Sequence, residues 1–242
     1  MSGGAPPLGF TIVNAASRAV QAVAPGEIVS VLGMNLGPAG EAWAGADAGG
    51  NLPVEAAGVR LLIDGIPAPL ISASQSEILA MAPFEIEGRP FVEVRLEFQG
   101  VRTVLGGVPV AASAPGLYTA DSTGQGQAKA LNCDGSENSS RSPANPGSVI
   151  TLLATGLGAT TPPGETGSIA DGGRKSLVLP LLATIGGTDA VVVDVRQVAG
   201  QPEGLFEVEV LVPEAVASGP AVPVVLRAGT ASSADGVTIA VR

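Results

Sequence analysis

One phrase occurs twice in this chain, and it constrains the fold more than any other feature of the sequence. The first copy, "APGEIVSVLGMNLG", runs from residue 24 to residue 37, and the second, "NPGSVITLLATGLG", runs from 145 to 158. Pro25-Gly26 recurs 121 residues later as Pro146-Gly147, and so does the Leu-Gly pair that closes the phrase. Each copy predicts a Pro-Gly turn, a buried strand of β-branched residues and a glycine corner.

Three further blocks repeat in the same order along the chain. They are "IDGIPA" (63–68) with "IGGTDA" (185–190), "EILAMAP" (77–83) with "EVEVLVP" (207–213), and "GRPFVEVRL" (88–96) with "SGPAVPVVL" (218–226). Chance similarity between β-rich sequences would explain one such block, but not four in order. We therefore interpret the chain as a duplicated domain.

The repeated blocks alternate apolar and polar residues, which is the period of a β-strand. In "FVEVRLEF" (91–98), Val92, Val94 and Leu96 fall on one face, and the charged residues between them fall on the other. Short strands separated by turn sequences are typical of a β-sandwich. The sequence therefore predicts an all-β protein with two tandem sandwiches, over residues 10–113 and 146–242.

Residues 114–145 lie between the two predicted sandwiches and are rich in Ser, Gly, Asn and Pro. Leu117, Tyr118 and Leu131 lie in this stretch and need a surface to pack on, so we predict a partly structured connector rather than a free linker. "GQAKALN" followed by "DGS" is a candidate hairpin within it.

Four of these blocks, "PGEIVSVLGMNLG", "VRLLIDGIPAPLI", "EILAMAP" and "VEVRLEFQG", resemble the IPT/TIG immunoglobulin-like module. A closer resemblance is to an uncharacterised C-terminal module of many exported proteins of soil bacteria. That module is similar to this chain from "VNAAS" (13–17), through "APGLYTADSTGQGQA" and "ALNCDGS", to the final "GVTIAV". The resemblance covers nearly the whole chain from about residue 10 and implies two immunoglobulin-like sandwiches of the IPT/TIG type. The family has no established activity.

The resemblance also implies an extracellular or cell-surface location. The first residues, "MSGGAPPLGF", have no basic segment and no long apolar segment, so no signal peptide is predicted in this chain. We interpret the chain as a mature form or a fragment of a larger exported protein.

The charge balance limits the classes of partner. The net charge is −10, from 22 acidic and 12 basic residues, whereas phosphate binding needs clustered Lys and Arg. We therefore expect no nucleic-acid partner. No apolar run reaches the ~20 residues that span a bilayer, so no membrane insertion is expected.

The residue types that most enzymes use are scarce. The chain contains no His, which is the commonest general base, and no G-x-S-x-G motif. Cys133 lies beside an acidic residue, which disfavours the thiolate, and we interpret it as an incidental thiol. The carboxylate pairs 85/87, 93/97 and 207/209 fit a solvated sheet face better than a glycosidase site. The sequence therefore predicts a protein that is not an enzyme and has no cofactor.

Calcium is the metal that the sequence favours most, although a polar turn without metal explains the same residues. Asn132, Asp134, Ser136 and Asn138 place oxygen atoms at every second position, and hard cations prefer oxygen ligands. The stretch lacks the glutamate that would complete an EF-hand loop.

Trp43 and Tyr118 are the candidate contacts for a partner, since they are the sole Trp and Tyr of the chain. An exposed Trp in a Gly/Ala-rich loop is a binding hot-spot candidate, although a Trp that plugs its own loop is the commoner case. Aromatic residues make up only 3% of the chain, which disfavours a carbohydrate-binding or enzyme-accessory module.

We expect a non-catalytic structural or adhesion protein that binds a protein partner or associates with itself. The alternative is a self-assembling filament or surface-layer subunit. In that case Phe10, Ile12 and Val13, in the apolar segment 9–17, would form a strand donated to a neighbour. Pairing of this segment within its own domain is the favoured of the two arrangements.

Overall fold

The computed structural model of this protein describes residues 9–242. The start of the chain, "MSGGAPPL", on which most of the signal-peptide prediction rests, lies outside the described residues. Half of the structure (50%) is β-strand and 1% is helix. Neighbouring strands pair almost throughout in the antiparallel sense, which confirms the all-β prediction.

The first half of the described chain contains nine strands and one short 3₁₀ helix. They are β1 (Phe10–Asn14), β2 (Ile28–Gly33), β3 (Ala42–Trp43), β4 (Val59–Ile63), β5 (Ile66–Ala68), β6 (Leu70–Ala73), β7 (Glu77–Met81), the 3₁₀ helix (Phe84–Ile86), β8 (Phe91–Phe98) and β9 (Val101–Pro109). One sheet has the order β1-β2-β7-β6-β3, and the other has the order β5-β4-β8-β9.

The second half contains thirteen strands, several of which are only two residues long. They are β10 (Gly116–Leu117), β11 (Gly126–Gln127), β12 (Ala130–Asn132), β13 (Val149–Thr155), β14 (Thr160–Thr161), β15 (Ser176–Leu177), β16 (Leu181–Ile185), β17 (Thr188–Ala190), β18 (Val192–Gln197), β19 (Leu205–Leu211), β20 (Gly219–Ala228), β21 (Ala231–Ser232) and β22 (Val237–Val241). One sheet has the order β10-β13-β19-β18, with β12 also on β13, and the other has the order β11-β22-β20-β16-β17, with β21 on β20. β14 pairs only with β15.

Each half has its own hydrophobic core, shared by its two sheets. The first core includes Val31 and Ile78 from one sheet with Leu61 and Leu96 from the other. The second core is built in the same way from the strands of the second half. Burial of alternate residues between two sheets gives each half a sandwich-like architecture.

The two halves repeat the same backbone geometry at the phrase that opens each copy. Gly26 and Gly147 both have positive φ, at 70° and 74°, a conformation that glycine adopts without strain. The N–H of Gly26 donates to the carbonyl of Ala82 at 3.1 Å, and that of Gly147 donates to the carbonyl of Val212 at 2.9 Å. The Pro-Gly turn therefore follows the alignment of the two sequence copies.

A second correspondence lies two residues before each Pro-Gly turn. Val23 forms a parallel bridge with Val110, and Ala144, 121 residues after Val23, forms a parallel bridge with Val241. This spacing equals that of the repeated phrase. The structural match between the two halves therefore extends to residues outside the repeated blocks.

The halves differ in the strand that precedes each Pro-Gly turn. In the first half, β1 runs unbroken along β2, from Phe10 opposite Gly33 to Asn14 opposite Val29. In the second half, β10 and β12 divide this role along β13, and residues 118–129 lie between them, with Tyr118 and Lys129 at the two ends still bonded to Leu153 of β13. We call residues 118–129 the excursion; β11 within it pairs in parallel with β22.

Candidate interaction surfaces

Trp43 lies on β3, at the outer edge of the first sheet, where it pairs with Ser72 of β6. Its side chain is 69% exposed, so the interpretation of this residue as a plug of its own loop is wrong. The reason is that its short strand holds the backbone against β6 without a cover over the ring. An exposed indole on an edge strand can contact an apolar surface of a partner.

Tyr118, the other candidate contact, lies at the start of the excursion. Its N–H donates to Leu153 at 3.0 Å, and its carbonyl accepts from Lys129 at 2.8 Å. Burial, and to a lesser extent the carboxylate of Glu27, raise the pKa of Tyr118. The side chain is therefore partly enclosed beside the first half, and the structure gives it a packing role inside the chain.

The first and second halves meet in a buried contact that the sequence did not predict. We call this contact the seam and define its polar centre as Asn14, Glu27, Ala114 and Thr155. Asn14 Nδ2 donates to Glu27 Oε1 at 2.7 Å and to the carbonyl of Ala114 at 3.0 Å. Asn14 therefore joins the first half to the segment that begins the second.

A second hydrogen-bond chain crosses the seam through Thr155, which is fully buried. The N–H of Ile28 donates to Thr155 Oγ1 at 2.9 Å, and this hydroxyl donates to the carbonyl of Gly204 at 2.7 Å. Because strand starts expose unpaired backbone N–H groups, the threonine satisfies a donor that would otherwise be buried without a partner.

Glu27 is a carboxyl group enclosed in this centre, with 1% of the residue exposed. Its Oε2 accepts from the N–H of Ala24 at 2.7 Å, which braces the Pro-Gly turn. Burial raises the pKa of Glu27 to about 8, although the hydrogen bonds from Ala24 and Asn14 act in the opposite direction. The sequence offers one sign that Glu27 has a role of its own, because Ser148 occupies the matching position in the second copy.

The seam continues past the Pro-Gly turn to the 3₁₀ helix of the first half. The N–H of Phe84 donates to Thr166 Oγ1 at 2.9 Å, and the same hydroxyl donates to Glu85 Oε2 at 2.6 Å. Nearby in the second half, Lys175 Nζ pairs with Glu203 Oε2 at 2.7 Å, with side-chain exposures of only 16% and 9%. Several independent polar contacts therefore hold the halves together.

Backbone pairing adds a further link between the halves. The N–H of Leu52 donates to the carbonyl of Gly167 at 2.8 Å, and that of Ile169 donates to the carbonyl of Gly50 at 2.9 Å. Asn51 and Ser168 form the antiparallel bridge between them. The long loop of the first half is thus paired with a loop of the second.

The four residues of the candidate calcium site use their polar atoms within the protein. Asp134 Oδ1 accepts from the N–H and the hydroxyl of Ser136 at 2.9 and 2.6 Å, and these bonds hold the pKa of Asp134 below its usual value. Asn138 Nδ2 donates to Asn132 Oδ1 at 3.0 Å and to the carbonyl of Ala240 at 2.9 Å. The geometry is that of a hydrogen-bonded turn. Across residues 9–242, no group of three or more His, Cys, Asp or Glu is arranged to hold a metal ion.

The candidate donated strand lies in the sheet of its own chain. Phe10, Ile12 and Val13 belong to β1 and pair with Gly33, Val31 and Ser30 of β2. Ile12 and Val13 are 3% and 4% exposed. Donation of this strand would therefore remove buried apolar side chains from the first half.

Two further candidates for chemistry lie on the surface. Arg196 bridges one carboxylate pair, through Glu207 and Glu209 at 2.7 Å each, as expected of a charged sheet face. Cys133 is exposed and free. Neither arrangement joins a nucleophile to a general base.

One groove, of about 470 Å³, opens on the second half beside the excursion. Apolar side chains such as Leu131, Leu153 and Leu205 line it, and its charged lining residues include Lys129 and Glu137. Leu131 is 41% exposed there. Of the three connector residues expected to pack, Leu117 is buried, Tyr118 is partly buried and Leu131 lines this groove.

No helix among residues 9–242 is long and apolar enough to cross a membrane. In comparisons with known proteins, no family model matches the chain, and no curated protein matches it.

Proposed function

We propose that this chain is a non-catalytic structural or adhesion protein built from two immunoglobulin-like domains of the IPT/TIG type. The domains would occupy residues 10–113 and 146–242, the connector 114–145 would belong to the second domain through β10, β11 and β12, and the chain would act outside the cell or at the cell surface. The observation that carries this proposal is the seam. Its hydrogen bonds would hold the two domains in one fixed arrangement, which suits a protein that keeps a contact surface at a set position.

The polar composition of the seam supports this proposal. Asn14, Glu27 and Thr155 are almost completely buried, and each has hydrogen-bond partners. Buried polar groups are costly unless paired in one arrangement, so a satisfied network favours a single relative orientation of the halves. A freely jointed tandem would leave these groups in water and would need no such network.

Trp43 is the side chain that we propose for contact with a partner protein. It lies on an edge strand and is the most exposed aromatic residue among residues 9–242. Aromatic anchors contribute much of the binding free energy of many interfaces. One exposed Trp, with few other aromatic residues, suits a protein contact better than a sugar platform.

Rigidity is tested by distance measurements between spin labels on the two halves. One label uses the exposed native Cys133, and the other uses cysteine at the exposed position 87, introduced as Glu87→Cys. We expect one narrow distance distribution in the otherwise unchanged protein and a broad one in a seam variant such as Thr155→Val. A broad distribution in the unchanged seam would contradict the proposal.

Light scattering after size exclusion tests the assembly state. A monomer is expected for a display or spacer protein. Filaments or rings would favour the self-assembling subunit instead, and deletion of residues 1–17 would then test whether β1 is exchanged. Antibody labelling of intact cells tests the location, and protection of the epitope inside the cell would contradict it.

A further inference from the structure

We infer that Glu27 is a proton-dependent latch: its protonated carboxyl keeps the seam closed, and its ionisation loosens the contact between the halves. This inference rests on the geometry of the seam and not on the proposed display function. The two can therefore fail separately.

The position of Glu27 couples one carboxyl group to both sides of the seam. Its Oε1 accepts from Asn14 Nδ2, and the same Nδ2 contacts the carbonyl of Ala114 in the segment leading to the second half. Asn14 Oδ1 accepts from the N–H groups of Ala16 and Ser17 at 2.9 Å each, which holds the amide in place. A change at Glu27 therefore reaches Ala114 through one side chain.

The turn that carries Glu27 also touches the second half directly. The carbonyl of Gly26 lies so close to Gly204 that a side chain at Gly204 would collide with it. The N–H of Ile28, the next residue after Glu27, donates to Thr155. Movement of Glu27 toward water would displace both contacts.

No cation within the described seam is positioned to neutralise an ionised Glu27. Arg18 is committed to Glu77 at 2.7 Å, and Lys175 is committed to Glu203 at 2.7 Å. Tyr118, which faces Glu27 from the excursion, is itself an acid and cannot supply positive charge. An unpaired buried carboxylate is unfavourable, so ionisation favours exposure of the group to water.

The direction of the pH effect follows from the two states. Burial raises the pKa of Glu27 to about 8 in the closed seam, whereas an open seam returns it toward the ordinary value of 4.5. Between these values the open state binds fewer protons than the closed state. Opening is therefore favoured as pH rises, by about tenfold per pH unit, and levels off above pH 8. The stabilisation of the closed seam by protonated Glu27 is fully present below pH 4.5.

Comparison of the two sequence copies supports a role of Glu27 that is specific to the seam. Glu27 and Ser148 occupy matching positions after the two Pro-Gly turns. Ser148 Oγ donates to the carbonyl of Asn145 at 2.7 Å and lies near the surface. The turn therefore needs no carboxyl group in order to form, and the carboxyl appears in the copy whose turn faces the other half.

The test is hydrogen exchange of the intact protein between pH 5.5 and 9, corrected for the intrinsic exchange rate. The seam reporters are the amides of Ile28 and Phe84, which donate across the seam to Thr155 Oγ1 and to Thr166 Oγ1. The reference amides are Asp64 and Gly186, which donate across β-strands within one half each. We expect protection of the seam amides to fall about tenfold per unit up to about pH 8, while the reference amides change much less.

Glu27→Gln removes the titration and is expected to flatten the pH dependence at the seam. Glu87→Gln is the matched control, because Glu87 is exposed, and it should leave the wild-type slope unchanged. Equal slopes in seam and reference amides would overturn the inference, since Glu27 would then be linked only to global unfolding. A pH-independent seam in the wild type would also overturn it.

Direct titration keeps the inference testable if Glu27→Gln fails to fold. The side-chain carboxyl carbon of Glu27, followed by ¹³C NMR in the wild-type protein, should titrate with a midpoint near 8. A midpoint at the ordinary value of 4.5 would overturn the latch.

Discussion

Gly204 and Gly26 lie in backbone contact across the seam, with the carbonyl oxygen of Gly26 in the space that a Cβ atom on Gly204 would occupy. Two chain segments that are distant in sequence approach this closely only because Gly204 has no side chain. The neighbouring hydrogen bonds, from Ile28 to Thr155 and from Thr155 to Gly204, depend on the same approach.

Gly204→Ala is therefore expected to destabilise the protein by about 1–3 kcal/mol, because the new methyl group meets fixed backbone rather than a flexible side chain. Urea unfolding measures the effect. Gly45→Ala is the control, since the space around Gly45 is open and its backbone conformation suits any residue. Equal stability of the two variants would show that the close approach is absent in solution.

Thr155→Val preserves the size of the side chain but leaves the Ile28 N–H without an acceptor. We expect a loss of about 1–3 kcal/mol in the free energy of unfolding, which is the usual range for a buried unpaired donor. Thr151→Val, on the same strand, is the control, because Thr151 is half-buried and lines the groove of the second half rather than the seam. A loss as large in the control would assign the effect to the strand and not to the seam.

Lys175→Met is expected to leave the Glu203 carboxylate nearly buried and without its cation. Removal of one partner from a buried pair typically costs about 3 kcal/mol. Glu203 Oε2 also accepts from the N–H of Glu165 at 2.9 Å, so that loop should loosen as well. Thermal unfolding measures the loss, and Lys129→Met at an exposed position is the control. A neutral result for Lys175→Met would mean that water replaces the lysine.

Trp43→Ala should change stability by less than about 0.5 kcal/mol, because the side chain is 69% exposed. As the sole Trp, it should also give the fluorescence of an indole in water and be quenched readily by acrylamide. Blue-shifted emission that resists quenching would contradict the exposed position.

Asn138→Ala should destabilise the second half, because the side-chain amide pairs with both backbone groups of Ala240. Oδ1 accepts from the Ala240 N–H at 2.8 Å, and Nδ2 donates to the Ala240 carbonyl at 2.9 Å. A loss of about 1–3 kcal/mol in the free energy of unfolding is expected.

Calcium should not raise the melting temperature of the wild type, and a clear rise on calcium addition would favour the metal hypothesis for this turn.

The strands and the repeated blocks could be predicted from the amino-acid sequence alone. Alternation of apolar and polar residues identifies a strand from local information, and the Pro-Gly and Gly-Gly turns recur at spacings that can be counted. Leu36 and Leu157, which close the repeated phrase in its two copies, are both fully buried. The exposure of Trp43 was harder to predict, because the same Gly/Ala-rich loop suits an exposed ring and a packed one.

The contact between the two halves, in contrast, could not be predicted from local sequence. In the sequence, nothing distinguishes Asn14, Glu27 and Thr155 from other polar residues at the ends of strands, and such residues are usually solvated. Their burial depends on the close approach of segments more than 100 residues apart, such as Ile28 and Thr155. Local patterns report the period of a strand but not which polar end faces the other half, and the environment of Glu27 depends on that arrangement.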